Sequence, residues 1–176
     1  MSFHHVAITT KNLDATHRFY TEAMGFELAK VEAAPTTDAG WARHIFYDTG
    51  NGEMFAVWDI HDPMLVEYGT EISTGLGLPP WANHIAFGSP DLDDLKVRLE
   101  RWLDYGLDCV RIDHGWCTSI YADDPNGITV EFCTSTREFT DEDRRQAHAL
   151  LAASKPDLAT TPPEIEFFTA ADTNTK

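Results

Sequence analysis

The chain has 176 residues and a formal net charge of −16, from 29 Asp and Glu against 13 Lys and Arg. This charge argues against nucleic acid or an anionic membrane surface as a partner, because both repel an acidic protein. A hydrophobic fraction of 43% is sufficient for the core of one domain, and the sequence predicts neither a signal peptide nor a membrane-spanning helix.

The first predicted strand opens an internal repeat. Residues 5–14 read HVAITTKNLD and residues 84–93 read HIAFGSPDLD, and the two align without a gap. Each copy is a short strand and a polar turn followed by an amphipathic helix. Asn12 and Asp91 are the predicted N-caps of the two helices, and Gly25 and Gly106 are the predicted stops.

Three strand-like runs follow each helix. They cover residues 26–31, 41–47 and 53–58 in the first half and residues 107–112, 116–121 and 128–133 in the second. Residues 123–127 (DDPNG) predict a hairpin turn between the last two runs. The pattern therefore predicts an α+β fold built from two tandem βαβββ units. These units occupy residues 1–60 and 81–135 of a single domain, and a Pro- and Gly-rich connector at 61–80 joins them.

The C-terminal segment, residues 136–176, departs from the repeat. Thr140 and Asp143 resemble a capping box, and residues 144–153 form a predicted short helix. From Lys155 the tail is polar and aperiodic apart from residues 165–168, so we expect it to be loosely held or packed on a neighbouring subunit.

The cysteines indicate the compartment. Cys109, Cys117 and Cys133 are odd in number and lack C-x-x-C spacing. They predict buried free thiols in a reducing compartment, and hence a cytoplasmic protein.

Strand alternation selects candidate ligands. Since successive side chains of a strand face opposite sides, Val6 and Ile8 should lie under the first helix and His5 should point away from it. The same reasoning places His84 and Glu131 on the side that no helix covers. Two imidazoles and one carboxylate suit Fe(II) or Mn(II) with open coordination positions. A surface Glu and ordinary surface histidines are the alternative, but the equivalent repeat positions of His5 and His84 favour a metal site between the halves. The remaining histidines on the strands and helices are interpreted as bystanders, structural or exposed: His4, His17, His44 and His148.

The paired βαβββ units, the HVAI and HIAF strand starts and the Y-x-x-D-P-x-G-x-x-x-E ending at residues 121–131 resemble the vicinal oxygen chelate superfamily. The resemblance covers roughly residues 2–135. The superfamily includes glyoxalase I, methylmalonyl-CoA epimerase, fosfomycin-resistance thiol transferases, bleomycin-binding proteins and type I extradiol dioxygenases. The resemblance implies a cup-shaped mixed β-sheet with helices on its outer face and a metal inside, bound by His5, His84 and Glu131.

Within that superfamily the sequence is most similar to a small extradiol dioxygenase. Ala56 stands where glyoxalase I carries a fourth ligand, and His114 precedes Tyr121 at the spacing of the extradiol signature. The resemblance implies O2-dependent cleavage of a catechol at Fe(II), with Mn(II), Zn(II) or Ni(II) as alternative metals. Tyr121 would then hydrogen-bond a substrate hydroxyl and His114 would act as an acid. His61, at a poorly matching spacing, is the candidate for the proton-accepting histidine.

Two other function classes stay open. A glyoxalase-like lyase or a thiol transferase would use the same three ligands, although few basic residues lie near the motifs, Arg43 and Arg111 being the nearest. A metal-free binding protein would keep the fold and leave the ligand positions empty. In all three cases the expected partner is a small molecule, for the dioxygenase an aromatic diol, and the chain is expected to form a homodimer.

Overall fold

A computed structural model of the chain describes residues 3–50, 52–65, 67–158 and 161–170. It contains a four-stranded sheet of order β1-β4-β3-β2 and a five-stranded sheet of order β5-β8-β7-β6-β9. The strands are β1 (His5–Thr10), β2 (Glu27–Pro35), β3 (Trp41–Asp48), β4 (Met54–His61), β5 (Ile85–Gly88), β6 (Cys109–Asp113), β7 (Cys117–Asp123), β8 (Thr129–Ser135) and β9 (Glu164–Phe168). The α-helices are α1 (Leu13–Arg18), α2 (Leu92–Tyr105) and α3 (Asp141–Ala152). This arrangement confirms the predicted α+β fold of two tandem βαβββ units.

The chain forms two compact units. One comprises the residues up to Ile85 together with Ala122–Val130, and the other comprises Ala86–Tyr121 with the residues from Glu131 onward. In the first unit β1 runs parallel to β4, which pairs antiparallel with β3. The parallel pairing follows from the α1 crossover, since parallel strands cannot be joined by a tight turn.

Helix α1 begins as predicted, with the Asn12 carboxamide accepting a hydrogen bond from the amide of Ala15 at 3.1 Å. It continues as a wider π-helical turn over Phe19–Ala23, which the sequence analysis did not predict. The turn places Tyr20 in the core, with its ring centroid 4.4 Å from that of Phe55.

The predicted hairpin turn between β7 and β8 belongs to the first unit. One Asp124 carboxylate oxygen accepts hydrogen bonds from the amides of Asn126 and Ile128, and the other accepts one from the Tyr20 hydroxyl at 2.9 Å. Gly127 has φ of +72°, and a Cβ there would lie 2.7 Å from the side chain of Glu71. The turn therefore requires glycine at this position.

In the second unit α2 has the predicted caps. The Asp91 side chain accepts from the amide of Asp94 at 2.8 Å, and Gly106 ends the helix with φ of +101°. The buried Trp102 of α2 has its ring centroid 5.4 Å from that of Phe132 on β8. Phe132 therefore faces α2, and Glu131, its neighbour in the strand, faces the opposite side.

The C-terminal segment is partly as expected. The capping box of Thr140 and Asp143 is confirmed, and α3 begins at Asp141. The prediction of a loosely held tail is wrong for β9, which pairs antiparallel with β6 from Cys109 opposite Phe168 to Asp113 opposite Glu164. Two Phe and one Ile in five residues favour an extended strand. Residues 159–160 and 171–176 of the predicted tail lie outside the described residues.

Two further expectations concern the whole chain. Cys109, Cys117 and Cys133 are free thiols, the first two buried. In the part of the chain that the structure describes, no helix is long and apolar enough to cross a membrane.

Candidate functional site

His5 begins β1 on the face of the first sheet opposite to α1. Thr10 shows where α1 lies, because its hydroxyl is 2.8 Å from that of Thr16 on the helix, and alternation places His5 on the other side. The His5 ring packs there against Phe46 of β3, with centroids 5.6 Å apart. Ala56 belongs to the same face, since β3 pairs it with Phe46. The His5 imidazole is therefore part of an aromatic surface.

The histidine ring nitrogens indicate which atoms could bind a metal. His84 directly precedes β5, and its Nδ1 lies 3.0 Å from the carbonyl oxygen of Trp81. A carbonyl only accepts, so Nδ1 donates, and in the neutral ring Nε2 then carries the lone pair. His5 Nδ1 lies 2.8 Å from Nδ1 of His4. In His84, therefore, Nε2 is the nitrogen suited to a metal, whereas for His5 either ring of the His4–His5 pair can be the donor.

In the second unit His114, Tyr121 and Glu131 form a chain of hydrogen bonds. The Tyr121 hydroxyl donates to a carboxylate oxygen of Glu131 at 3.1 Å, and Nε2 of His114 lies 3.2 Å from the same hydroxyl. Because the phenol has one hydrogen, His114 donates and Tyr121 accepts. His114 is exposed, Tyr121 is half-buried, and Glu131 is 6% exposed.

The local sequence explains this placement. His114 lies in the turn between β6 and β7, where the Asp113 carboxylate accepts from the amide of Gly115 at 2.7 Å. Burial, together with the negative charge of Glu131, raises the pKa of Tyr121 to about 12. The phenol therefore stays protonated at neutral pH and remains a donor to the carboxylate.

His61 belongs to the first unit. It ends β4 on the face opposite to His5, since alternation groups it with Asp59 rather than with Ala56. Its Nε2 lies 2.9 Å from the Asp59 carboxylate, and its ring stacks on Trp41 with centroids 4.0 Å apart. This placement gives the predicted proton-accepting role of His61 no support.

His44 is a residue that the sequence analysis set aside. It lies opposite Trp58 in the pairing of β3 with β4, and the two rings stack with centroids 3.8 Å apart at an angle of 8°. Its Nε2 is buried and has no hydrogen-bond partner among the described residues. Burial, and then the charge of His5, lower the pKa of His44. Only the strand register reveals this environment, because His44 and Trp58 are far apart in sequence.

The predicted metal ligands have the chemistry of a divalent-cation site, but their side chains do not form a group around one point. Two imidazoles and a carboxylate suit Fe(II). Within the described ranges, however, no three His, Cys, Asp or Glu side chains form a group that could hold a metal ion.

Comparison with known proteins gives a family and a fold. The family model described as Glyoxalase/Bleomycin resistance protein/Dioxygenase superfamily matches residues 2–132. A glyoxylase/bleomycin resistance protein/dioxygenase domain from Frankia sp. EAN1pec superposes with a TM-score of 0.56 at 19% identity, covering 77% of this chain and 98% of that one. A comparison with curated proteins finds no match.

Two further solved structures differ in their named activities. A lactoylglutathione lyase from Agrobacterium tumefaciens has a TM-score of 0.50 and 17% identity, covering 76% of this chain and 92% of that one. TnmS3, an antibiotic binding protein from Streptomyces sp. CB03234, has a TM-score of 0.51 and 14% identity, covering 77% of this chain and 97% of that one. At these identities the likeness is one of fold alone.

Proposed function

Because the chain belongs to the glyoxalase/bleomycin resistance protein/dioxygenase superfamily, we propose that it is a metal-dependent oxygenase that opens the ring of a catechol-type aromatic with O2. The observation that carries the proposal is the chain of hydrogen bonds from His114 through Tyr121 to Glu131. The resemblance of this stretch to the extradiol signature independently groups the same three residues. Their contact supports a common role.

The proposed roles follow from the direction of the hydrogen bonds. The Tyr121 hydroxyl can donate its hydrogen bond to a substrate oxygen instead of to Glu131. In this way Tyr121 positions one hydroxyl of the diol. His114 is exposed and donates to Tyr121, so it can resupply that proton and act as an acid during ring opening. Phe46 and Trp58, on the His5 face, supply apolar area suited to an aromatic ring.

We propose His5, His84 and Glu131 as the metal ligands, with Fe(II) as the metal and Mn(II), Zn(II) or Ni(II) as alternatives. Bound there, Fe(II) would supply the redox chemistry that allows O2 to react with an aromatic ring. The hydrogen bond of His84 supports this assignment. Its Nδ1 donates to a backbone carbonyl, as is typical of metal-ligating histidines, and this leaves the lone pair on Nε2.

The experiment is anaerobic reconstitution with Fe(II), followed by exposure to O2 with a panel of mono- and bicyclic catechols. We expect O2 uptake equal to the catechol consumed, since both oxygen atoms enter the product, together with a yellow ring-fission chromophore. Absence of uptake across the whole panel by metal-loaded protein would contradict the proposal.

A second candidate function is metal-free binding of a small aromatic molecule. It is favoured by one observation, the lack of a grouped set of metal-binding side chains in the described part of the chain. In this case the purified protein would hold well under one metal ion per chain, even after reconstitution, and would bind aromatic diols without turnover. Metal analysis of the reconstituted protein separates the two functions.

Two properties are proposed on sequence grounds. A cytoplasmic location is supported by the free thiols of Cys109, Cys117 and Cys133. Homodimerisation is proposed as the second property, and size-exclusion chromatography with light scattering tests it.

A further inference from the structure

The face of the first sheet that carries α1 is incompletely covered at its edge strand, β2. Leu28 and Val31 of β2 are 49% and 47% exposed. They are three residues apart, so in a regular strand they would face opposite sides. A bulge shifts the register between Leu28 and Lys30, and Leu28 then lies opposite Tyr47. Val31 lies opposite Ile45, so both apolar side chains share the face of α1 and remain half-exposed there.

A cavity of about 240 Å³ lies between this face and α1, within the first unit and open to solvent. Its apolar walls are formed by Leu13, Leu28, Val31 and Ile45. A cavity of about 150 Å³ holds a benzene molecule. This cavity therefore admits a single ring or a branched aliphatic chain together with a small polar group. Alternation along β3 places it on the sheet face opposite to His5.

The polar atoms at one end of the cavity are already paired with each other. Tyr47 and His17 line this end, and Nδ1 of His17 lies 3.0 Å from the hydroxyl of the buried Tyr47. A ligand needs no polar group to satisfy these atoms, so an apolar group is favoured there.

Two opposite charges line the other end of the cavity. The strand register places Arg43 beside Asp59, and Asp59 beside Thr10, the last residue of β1. Helix α1 follows Thr10 closely, so Asp14 in its first turn lies at the Arg43 end, and both residues line the cavity. Among the described residues, the Asp14 carboxylate has neither a hydrogen bond nor an ion pair.

The Arg43 guanidinium is held in place while its donors stay available. It lies over the Trp41 ring, 4.9 Å from the centroid, and 3.4 Å from Oδ2 of the buried Asp59. This contact is an ion pair without a hydrogen bond, since Oδ2 has no hydrogen-bond partner among the described residues. Donors that are already fixed in position bind a carboxylate with little further loss of entropy.

The opposite charges and the apolar walls together define the ligand chemistry. Arg43 would attract a simple carboxylate that Asp14 repels, and a simple amine would meet the reverse. A zwitterion with an apolar side chain complements both charges and the walls. An α-amino acid has this constitution, because its ammonium and carboxylate groups share one carbon atom with the side chain.

We propose that this cavity binds an apolar α-amino acid, with the carboxylate on Arg43, the ammonium group on Asp14 and the side chain against the apolar walls. The site goes beyond the proposed oxygenase function. It lies on the sheet face opposite to His5, so its occupancy requires neither metal nor catechol.

Titration of the full chain, followed by NMR chemical shifts, tests the site with four probes. L-Leucine carries all three groups, isocaproate lacks the ammonium group, isoamylamine lacks the carboxylate, and glycine lacks the side chain. We expect a Kd of about 0.1 to 1 mM for L-leucine, because both charged groups are partly exposed to solvent. Isocaproate and isoamylamine should bind at least about fivefold more weakly, and glycine should not bind measurably. The shifts should centre on the methyl groups of Val31 and Ile45.

Two substitutions should alter the preference among the probes. Asp14→Asn should weaken L-leucine binding about threefold and strengthen isocaproate binding, because it removes one attraction and one repulsion. Arg43→Gln should weaken L-leucine binding about tenfold and strengthen isoamylamine binding, and Arg43→Lys should recover part of the loss. Asp93→Asn is the matched control, since Asp93 is the exposed second residue of α2 as Asp14 is of α1. It should match the unaltered protein.

A Kd for L-leucine above about 10 mM overturns the proposal, as does binding of isocaproate or isoamylamine that is as tight as that of L-leucine. Unchanged affinities of Asp14→Asn for all four probes contradict it equally. If Arg43→Gln lowers the Tm through loss of the ion pair with Asp59, the exposed Asp14 and the four probes still decide the question. Failure of the protein to bind metal or to turn over catechols would contradict the proposed function and leave this site unaffected.

Discussion

Tyr121 connects an exposed imidazole to a buried carboxylate, so its hydroxyl makes both contacts of the proposed proton path. Glu131 is 6% exposed and accepts the phenolic hydrogen. A buried carboxylate that loses such a donor is costly, because hydrogen bonds to charged groups contribute about 1.5–3 kcal/mol. The predicted consequences of removing the hydroxyl are therefore both functional and structural.

We predict that Tyr121→Phe keeps the metal bound and lowers kcat/KM for catechol by about 10- to 100-fold, since it removes one charge-assisted hydrogen bond. It should also lower the free energy of unfolding. Steady-state kinetics, metal analysis and urea denaturation measure the three quantities. Tyr68→Phe is the control, because among the described residues the Tyr68 hydroxyl makes only a long 3.4 Å contact, with the carbonyl of Thr10. Unchanged kinetics of Tyr121→Phe would remove Tyr121 from the proposed site.

The cysteines give a second prediction at this scale. Burial raises the pKa of both Cys109 and Cys117 to about 12, so at pH 8 only about one thiol in ten thousand is ionised. We expect iodoacetamide to leave these two cysteines unmodified in the folded protein and to modify all three cysteines in guanidinium chloride. Peptide mass spectrometry measures the sites. Rapid labelling of Cys109 in the folded protein would contradict the burial on which this rests.

At the scale of elements, local signals were predictable and long-range ones were not. Asn12, Asp91 and Thr140 cap their helices as expected because a cap depends on the three residues that follow it. The pairing of β9 with β6 joins residues more than fifty positions apart, and no local signal specifies that partner. The π-helical turn at Phe19–Ala23 likewise has no signature in the apolar spacing.

The same distinction applies to the candidate site. Strand alternation predicted which sheet face His5 and Glu131 occupy. The resemblance to the extradiol signature grouped His114 with Tyr121 but did not predict their contact, which only the structure gives. The environment of His44 needed the register of β3 against β4, which sequence spacing does not give. The convergence of His5, His84 and Glu131 on one ion stays a prediction.

The β7–β8 turn leads to a prediction about pH. Burial raises the pKa of Asp124 above its usual 3.8, despite hydrogen bonds from Asn126, the amide of Ile128 and Tyr20. The folded state therefore holds this proton more tightly than the unfolded state. The stability contributed by the group is complete below the unfolded pKa and is lost as pH rises through the folded pKa.

We therefore expect the unfolding free energy of the unaltered protein, relative to that of Asp124→Asn, to increase as pH falls from about 7 toward about 4. Comparing the two proteins cancels the pH dependence contributed by the groups that both share, such as Asp143. Urea denaturation at a series of pH values measures the difference. A difference that shrinks toward low pH would mean that the hydrogen bonds outweigh burial at Asp124.

At the scale of the whole molecule, charge and fold act together. A net charge of −16 raises the local concentration of divalent cations and lowers that of anions. It favours a neutral diol over the thiolate or phosphonate ligands of a thiol transferase. The negative charge also causes weak binding of cations anywhere on the surface. Salt screens this weak binding, since the Debye length is about 8 Å at 0.15 M ionic strength. A specific metal site must therefore persist in salt and depend on particular side chains.

The most direct measurement is equilibrium dialysis against Fe(II) under anaerobic conditions, or against Mn(II), in about 0.15 M salt. It compares the unaltered protein with His84→Ala and with His148→Ala, whose histidine is exposed on α3. We expect about one metal ion per chain in the unaltered protein and in His148→Ala, and less than about a tenth of that in His84→Ala. Equal binding by His84→Ala, or no binding by the unaltered protein, would contradict it.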